Sequence, residues 1–176
     1  DLKDVPHHVW STYGMTETLS HIALRKLNGT DTSDWYTPFD NVRIRLSEEG
    51  TLIIHAPNVC AEELITNDIA EINEEGKFRI LGRKDNTINS GGVKIQIEQV
   101  EATLRAHLDI PFQITARKDA KFGEIVVLIY NKVGNEDNIR RVCESELPTY
   151  WVPKAYIAVD ELPMTGTGKP DRFSAR

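Results

Sequence analysis

From Val42 onward the chain alternates in hydropathy. Val42, Ile44 and Leu46 are apolar, while Arg43 and Arg45 between them are charged. Period two is the mark of a strand with one dry face and one wet face. Ser47-Glu48-Glu49-Gly50 reads as a turn, and Thr51 to His55 as the returning arm of a hairpin. Ile69 to Ile72 and Lys77 to Leu81 flank Asn73-Glu74-Glu75-Gly76, which predicts a second hairpin with Gly76 at positive φ. Short strands joined by acidic turns suggest a small antiparallel sheet or open barrel. Residues 1–40 carry no such period. Gly14, Gly29, Pro38 and scattered Ser and Thr make them loop-rich, and they do not read as a self-contained domain.

After Gly82 the texture changes to alternating strand and helix. Thr87 to Asn89 and Val93 to Ile95 are short strands around Gly91-Gly92. Ile97 to Leu108 is helical, with Ile97, Val100, Leu104 and Leu108 on one stripe. Phe112 to Arg117 and Glu124 to Tyr130 are strands, the second apolar enough to be central. Asp137 to Leu147 is a second helix, with Ile139, Val142, Cys143 and Leu147 facing inward, Asp137 as its cap and Pro148 as its stop. Lys154 to Val159 is a last strand, and from Leu162 the chain runs as a Gly/Thr/Pro loop. The fold class is α+β. A small antiparallel β subdomain, the end of something larger, precedes a compact α+β unit of three or four strands and two helices.

Composition narrows the partners. The chain has 176 residues, and 21 Lys+Arg against 27 Asp+Glu give a net charge of −6. A phosphate-neutralising nucleic-acid binder shows the opposite excess, so no nucleic-acid partner is expected. The longest apolar run, Ile125 to Tyr130, is far below the ~20 residues of a membrane helix, so no membrane insertion is expected. Two distant cysteines, Cys60 and Cys143, form neither a metal motif nor a disulfide framework, which fits a reducing cytoplasm. Asp1-Leu2-Lys3-Asp4 shows no signal-peptide pattern, and without an initiator Met the start is expected upstream.

Four segments hold residues that packing does not explain. The first is Ser11-Thr12-Tyr13-Gly14-Met15-Thr16-Glu17-Thr18, which crowds an aromatic, a glycine, hydroxyls and a carboxylate together. The second is Thr66-Asn67-Asp68, a lone acid between apolar flanks. The third is Gly82-Arg83-Lys84-Asp85 with Ser90-Gly91-Gly92-Val93-Lys94. The fourth is Pro163-Met164-Thr165-Gly166-Thr167-Gly168-Lys169-Pro170-Asp171-Arg172. This last is not a Walker P-loop, because Pro170 follows the lysine and Pro163 stands where the first glycine belongs. Singly, each has a plain alternative: core packing for Tyr13, a solvated acid for Glu17, a turn cap for Asp68, a linker charge for Asp85, a turn glycine for Gly92 and a surface turn around Lys169. The five histidines, His7, His8, His21, His55 and His107, form no zinc pattern, and no G-x-S-x-G elbow occurs. Asn28-Gly29-Thr30 matches a glycosylation sequon, which a cytoplasmic reading leaves as chance.

Together and in this order, the four segments resemble the adenylate-forming enzymes, a superfamily of acyl-CoA synthetases, peptide-synthetase adenylation domains and luciferases. The resemblance covers the C-terminal portion of such enzymes. It implies that residues 1–82 end the large AMP-binding domain, that 83–85 form a hinge, and that 86–176 form a mobile C-terminal domain. Within the superfamily, the texture from Tyr13 to His21 is nearest the o-succinylbenzoate–CoA ligases of menaquinone biosynthesis. The implied reaction joins a small carboxylic acid to ATP as an acyl-adenylate, and then CoA displaces AMP. ATP or AMP, Mg2+ and coenzyme A are therefore the implied ligands, and any self-association would run through the N-terminal domain.

The resemblance also implies roles. Lys169 would be the catalytic cation of adenylation, on a loop that Gly166 and Gly168 free in φ. Arg172 would either hold that loop or act directly. Glu17 would bind the magnesium, Thr16 would donate to the α-phosphate, and Tyr13 with Gly14 would lie against the adenine. Asp68 would accept both ribose hydroxyls, although Asn67 stands where the family has Gly. Arg83 would approach ribose or phosphate, Asp85 would be the hinge, Gly92 would line the pantetheine path, and Lys94 would meet a CoA phosphate. Ser20 and His21 would border the acyl pocket. Other acyl-CoA synthetases, adenylation domains and a non-catalytic nucleotide- or CoA-binding module are the alternatives. The isolated 176-residue chain is expected to be inactive.

Overall fold

The computed structural model describes Leu2 and residues 5–172. It divides into two compact units, residues 1–84 and 85–176.

The first unit contains two antiparallel sheets. Strands β1 (Trp10–Gly14), β2 (His21–Lys26) and β3 (Thr37–Pro38) form one of them. The loop-rich segment expected before residue 40 is thus partly a sheet. Its pattern is hard to read because β1 turns Ser11 and Tyr13, a hydroxyl and a phenol, toward the protein. Strands β4 (Arg43–Leu46), β5 (Thr51–His55), β6 (Leu64–Ile72) and β7 (Phe78–Arg83) form the second sheet in sequence order. The expected hairpins are there, with Gly50 and Gly76 at φ 79° and 73° in the turns. β6 begins earlier than its Ile69–Ile72 core because Ile53 and Ile54 pair with Ile65 and Leu64. Asp68 is therefore a strand residue, paired with Arg83. Phe78 is fully buried among Ile22, Leu52, Ile54 and Ala70. Its backbone exchanges hydrogen bonds with Tyr36, at 2.6 and 3.0 Å. This ring anchors the core, and truncating such a ring costs ~3–5 kcal/mol.

The second unit packs two helices on a five-stranded sheet rather than one of three or four strands. Strands β8 (Thr87–Ser90), β9 (Val93–Gln96), β10 (Phe112–Asp119), β11 (Gly123–Asn131) and β12 (Ala155–Val159) contribute. β10 runs antiparallel along one edge of β11. On the other edge, Gly123 meets Ser90 of β8, and Val127 to Asn131 pair in parallel with β12. Both the short hairpin strands and the parallel β12 share one sheet, which accounts for the larger number. β11 is apolar on both faces because both are covered. Val126, Leu128 and Tyr130 join the core beneath the helices, while Ile125, Val127 and Ile129 pack with Ala155, Val159 and Leu162.

Helix α1 spans Ile97–Arg105, and Ile97, Val100 and Leu104 are buried as expected. It ends three residues before Leu108. The amides of both His107 and Leu108 bond to the Leu104 carbonyl, so the last turn tightens and closes. Leu108 still packs in the core. Helix α2 spans Glu136–Glu146, and its cap is Asn135, not Asp137: the Asn135 side chain accepts from the Asn138 amide at 3.0 Å. Asp137 lies in the first turn, two residues past the capping position. Among the described residues, no helix is long and apolar enough to cross a membrane.

Candidate functional site

In the first unit, β6 and β7 carry Asp68 and Arg83 side by side, and β1 brings Tyr13 to them. The Tyr13 hydroxyl donates to Asp68 Oδ2 at 2.6 Å. Arg83 Nη1 lies 3.4 Å from Asp68 Oδ1. The Asp68 amide donates to Thr66 Oγ1 at 3.1 Å, which fixes the strand beside the carboxylate. The Asp68 side chain is 13% exposed and that of Arg83 52%, so the acid is recessed and its cation lies at the rim. Burial, then the Asp68 carboxylate, push the Tyr13 phenol far above its ordinary range, so it stays a proton donor. Its ring rests edge-on against Phe78 at 5.1 Å between centroids and tilted against Tyr36 at 5.8 Å. Tyr13 is thus both a core residue and a ligand of Asp68.

Beyond β1 the chain makes one 3-10 turn, Thr16–Thr18, which leaves Thr16 and Glu17 exposed. Thr18 is fully buried and builds the turn. Its hydroxyl accepts from the Met15 amide at 3.0 Å and donates to the Ser20 carbonyl at 2.7 Å. Leu19 takes φ 56°, a left-handed conformation that side chains other than glycine adopt at a cost. Gly14 is required by space. A Cβ there would stand 2.4 Å from the Ser20 carbonyl oxygen and 2.7 Å from His21 Cα. Thr12, Gly14, Met15, Leu19, Ser20 and His21 line an open cleft of about 290 Å³.

Among the described residues, no three His, Cys, Asp or Glu side chains gather to hold a metal. Glu17 is a single exposed carboxylate. That suits a magnesium ion that takes one protein oxygen and fills its other positions with phosphate oxygens and water.

The remaining expected residues lie at the unit boundary and in the second unit. Asp85 sits in a 3-10 turn, Lys84–Asn86, where the two units meet in sequence. Gly91 and Gly92 form the β8–β9 turn at φ 58° and 87°. The Gly91 amide donates to the Phe122 carbonyl at 2.8 Å, and nothing lies within 4 Å of where a Gly92 Cβ would stand. Lys94 is exposed on β9. In the tail, the Lys169 carbonyl accepts from the Thr165 amide at 2.7 Å and the Lys169 amide donates to Thr165 Oγ1 at 3.1 Å. The tip of this loop, Thr165 to Lys169, is exposed. Gly168 takes φ 75°, but Gly166 is not left-handed, so only one of the two glycines serves the turn by its conformation.

Two groups escaped the sequence reading. Tyr36 stacks on Phe78 and shares a 2.8 Å hydrogen bond with Ser11, so it shapes the Tyr13 niche from a segment without a motif. Glu101 is 2% exposed within α1. A visible signal existed, since Glu101 falls on the apolar stripe at four residues from Ile97 and three from Leu104. Arg172 is placed by it: Arg172 Nη2 donates to Glu101 Oε2 at 2.8 Å.

Residues 98–169 match the family model of the AMP-binding enzyme C-terminal domain. The 2-succinylbenzoate–CoA ligase of Bacillus cereus is 30% identical over 95% of this chain and 40% of its own length. The chain spans about 40% of the curated relatives it matches. Among solved structures, o-succinylbenzoate CoA synthetase from Bacillus subtilis, in complex with the acyl-adenylate OSB-AMP, has a TM-score of 0.81 at 23% identity, over 96% of this chain and 41% of that one. The same synthetase in complex with ATP and magnesium ion has a TM-score of 0.76 at 22% identity, over 94% of this chain and 40% of that one. At these identities the structures establish a shared fold.

Proposed function

We propose that this chain, which corresponds in sequence and fold to the C-terminal portion of the adenylate-forming AMP-binding enzymes, serves an ATP-dependent acid–thiol ligase. The acid we assign is o-succinylbenzoate, the substrate in the names of its curated relatives. The carboxylate attacks the α-phosphorus of ATP and releases pyrophosphate, and the CoA thiol then displaces AMP from the acyl-adenylate. The recessed Asp68 carboxylate, with the Tyr13 hydroxyl on one oxygen and Arg83 near the other, carries this reading. A carboxylate can accept two hydroxyls at once, and such bonds are charge-assisted. In the complex, the ribose hydroxyls would share Asp68 with Tyr13.

The other roles are carried over from the family resemblance. Glu17, exposed on its turn, would hold the magnesium ion, which supplies positive charge to the phosphates when bound. Thr16 beside it would donate to the α-phosphate, and Tyr13 with Gly14 would border the adenine. Lys169, on an exposed loop, would offset the charge that grows on the α-phosphate in the transition state. Asp85 would be the hinge on which residues 86–176 change face between the two steps. Gly92, with open space where a Cβ would stand, would let the pantetheine arm pass, and Lys94 would meet a CoA phosphate. Two free thiols, Cys60 and Cys143, favour the cytoplasm. The isolated chain would bind AMP or CoA weakly and turn nothing over, because it spans only part of its relatives.

The test is acid-dependent ATP–pyrophosphate exchange by the intact enzyme that carries these residues. O-succinylbenzoate should stimulate it more than benzoate, acetate or a fatty acid. Stimulation only by another acid would refute the substrate, and no stimulation by any carboxylic acid would refute the reaction class.

A further inference from the structure

We propose that Glu101 is a positioning residue for Lys169. The inference deepens the adenylate-forming reading, on which it rests. Lys169 lies on an exposed loop, yet hydrogen bonds tie the stem of that loop to β10 on both sides of the lysine. The Asp171 amide donates to the Pro163 carbonyl at 2.9 Å and closes the stem. Gln113 Nε2 on β10 donates to the same Pro163 carbonyl at 3.0 Å, and Thr115 Oγ1 donates to the Arg172 carbonyl at 2.9 Å. Both are polar side chains buried among the apolar residues of the first half of β10, Phe112, Ile114 and Ala116.

The strongest tie is electrostatic. The Glu101 side chain is 3% exposed and that of Arg172 14%. Glu101 Oε1 accepts from the Ile114 amide at 3.0 Å, which locks the carboxylate between α1 and β10. Its Oε2 accepts from Arg105 Nη2 at 3.1 Å and from Arg172 Nη2 at 2.8 Å. Arg105 is largely solvated, so Arg172 is the recessed partner. A buried charged pair is a poor source of net stability, but breaking one half of it is costly. Its value here is placement. It joins helix α1 to a residue three positions past Lys169, and the hydrogen bonds of the tip pass that constraint to the lysine. A cation that must meet a developing charge loses about 100-fold in rate for a misplacement near 1 Å.

The test has two arms. In the 176-residue chain, Arg172→Met and Glu101→Gln should speed hydrogen exchange at the Thr165, Gly168, Lys169 and Asp171 amides, with the amides of α2 unchanged. Arg172→Met covers the case in which Glu101→Gln disturbs the fold. In the intact enzyme, Arg172→Met should lower kcat for adenylation by about 10–100-fold, with KM for ATP and thiolation of preformed acyl-adenylate within about twofold. In a Lys169→Ala background the same change should cost nothing further. Unchanged loop exchange, equal loss in both half-reactions, or a full loss without Lys169 would each overturn the proposal. Loop amides that respond in an enzyme with no adenylation activity would overturn the proposed function and leave the clamp standing.

Discussion

Gly14→Ala should destabilise the first unit through contact alone. The added Cβ would stand 2.4 Å from the Ser20 carbonyl oxygen, 2.7 Å from His21 Cα and 2.9 Å from the Ser20 carbonyl carbon, where ordinary contact begins at 3.4 Å. All three atoms are backbone, so no side chain can swing aside. The Ser20–His21 segment must retreat by roughly 1 Å, and overpacking of this kind costs ~1–3 kcal/mol. The retreat strains a turn with little slack. The Ser20 amide bonds to the Thr18 carbonyl at 2.6 Å, the Ser20 carbonyl accepts the buried Thr18 hydroxyl, and Leu19 is already left-handed. For a unit of this size, each 1 kcal/mol lowers Tm by roughly 4–8 °C. Thermal and urea unfolding of the 176-residue chain, followed by circular dichroism, would read the loss. Gly166→Ala is the control, since nothing lies within 4 Å of its Cβ position and its φ is not positive, so it should stay within ~0.5 kcal/mol of wild type. A Gly14→Ala variant as stable as Gly166→Ala would refute the close-approach argument.

Further outcomes follow from other contacts. Asn135→Ala should cost about 1 kcal/mol in urea unfolding by loss of the α2 cap, while Asp137→Ala should cost a few tenths; the reverse order would restore Asp137 as the cap. Burial and the Asp68 carboxylate raise the Tyr13 phenol above its unfolded value of 10.0. The protonated form is the one folding favours, so this stabilisation is complete below about pH 10 and is lost as pH rises beyond it. Burial raises Tyr130 and Tyr156 as well, so wild type and Tyr13→Phe should be compared, and wild type should lose urea stability more steeply above about pH 10. Identical slopes would remove Tyr13 from the alkaline response. Gly92→Leu forces a side chain into φ 87° and into the proposed pantetheine path, so in the intact enzyme it should slow thiolation by at least about tenfold and spare adenylation within about twofold.

The pattern of hydrophobic positions located most elements because most strands and helices carry a regular dry face, while β11, dry on both faces, shows as a continuous apolar run. Ile44, Ile54 and Phe78 mark one core, and Ile97, Val100, Leu104 and Leu128 the other. It missed β1, β2 and β3: β1 turns a hydroxyl and a phenol inward, β2 buries the adjacent Ile22 and Ala23 instead of alternating, and β3 is two residues long. The ends of α1 and α2 escaped for a different reason. They are decided by single backbone and side-chain hydrogen bonds, at Leu104 and Asn135, which leave no period. Of the candidate site, Tyr13, Asp68 and Arg83 were legible as motif residues, but their meeting depends on pairing between β6 and β7 and on the approach of β1. Local order does not display such pairing. Glu101 was legible only as an anomaly, a charge on an apolar stripe, whose partner stands 71 residues away.

Lys169, in the function proposed here, acts in adenylation and not in thiol transfer. Its most direct test measures both half-reactions of the intact enzyme with Lys169→Ala. Acid-dependent ATP–pyrophosphate exchange should fall by at least about 100-fold, or ~2.7 kcal/mol of transition-state stabilisation. Release of AMP from preformed acyl-adenylate by CoA should stay within about twofold of wild type. Equal loss in both steps, or exchange at the wild-type rate, would contradict the account.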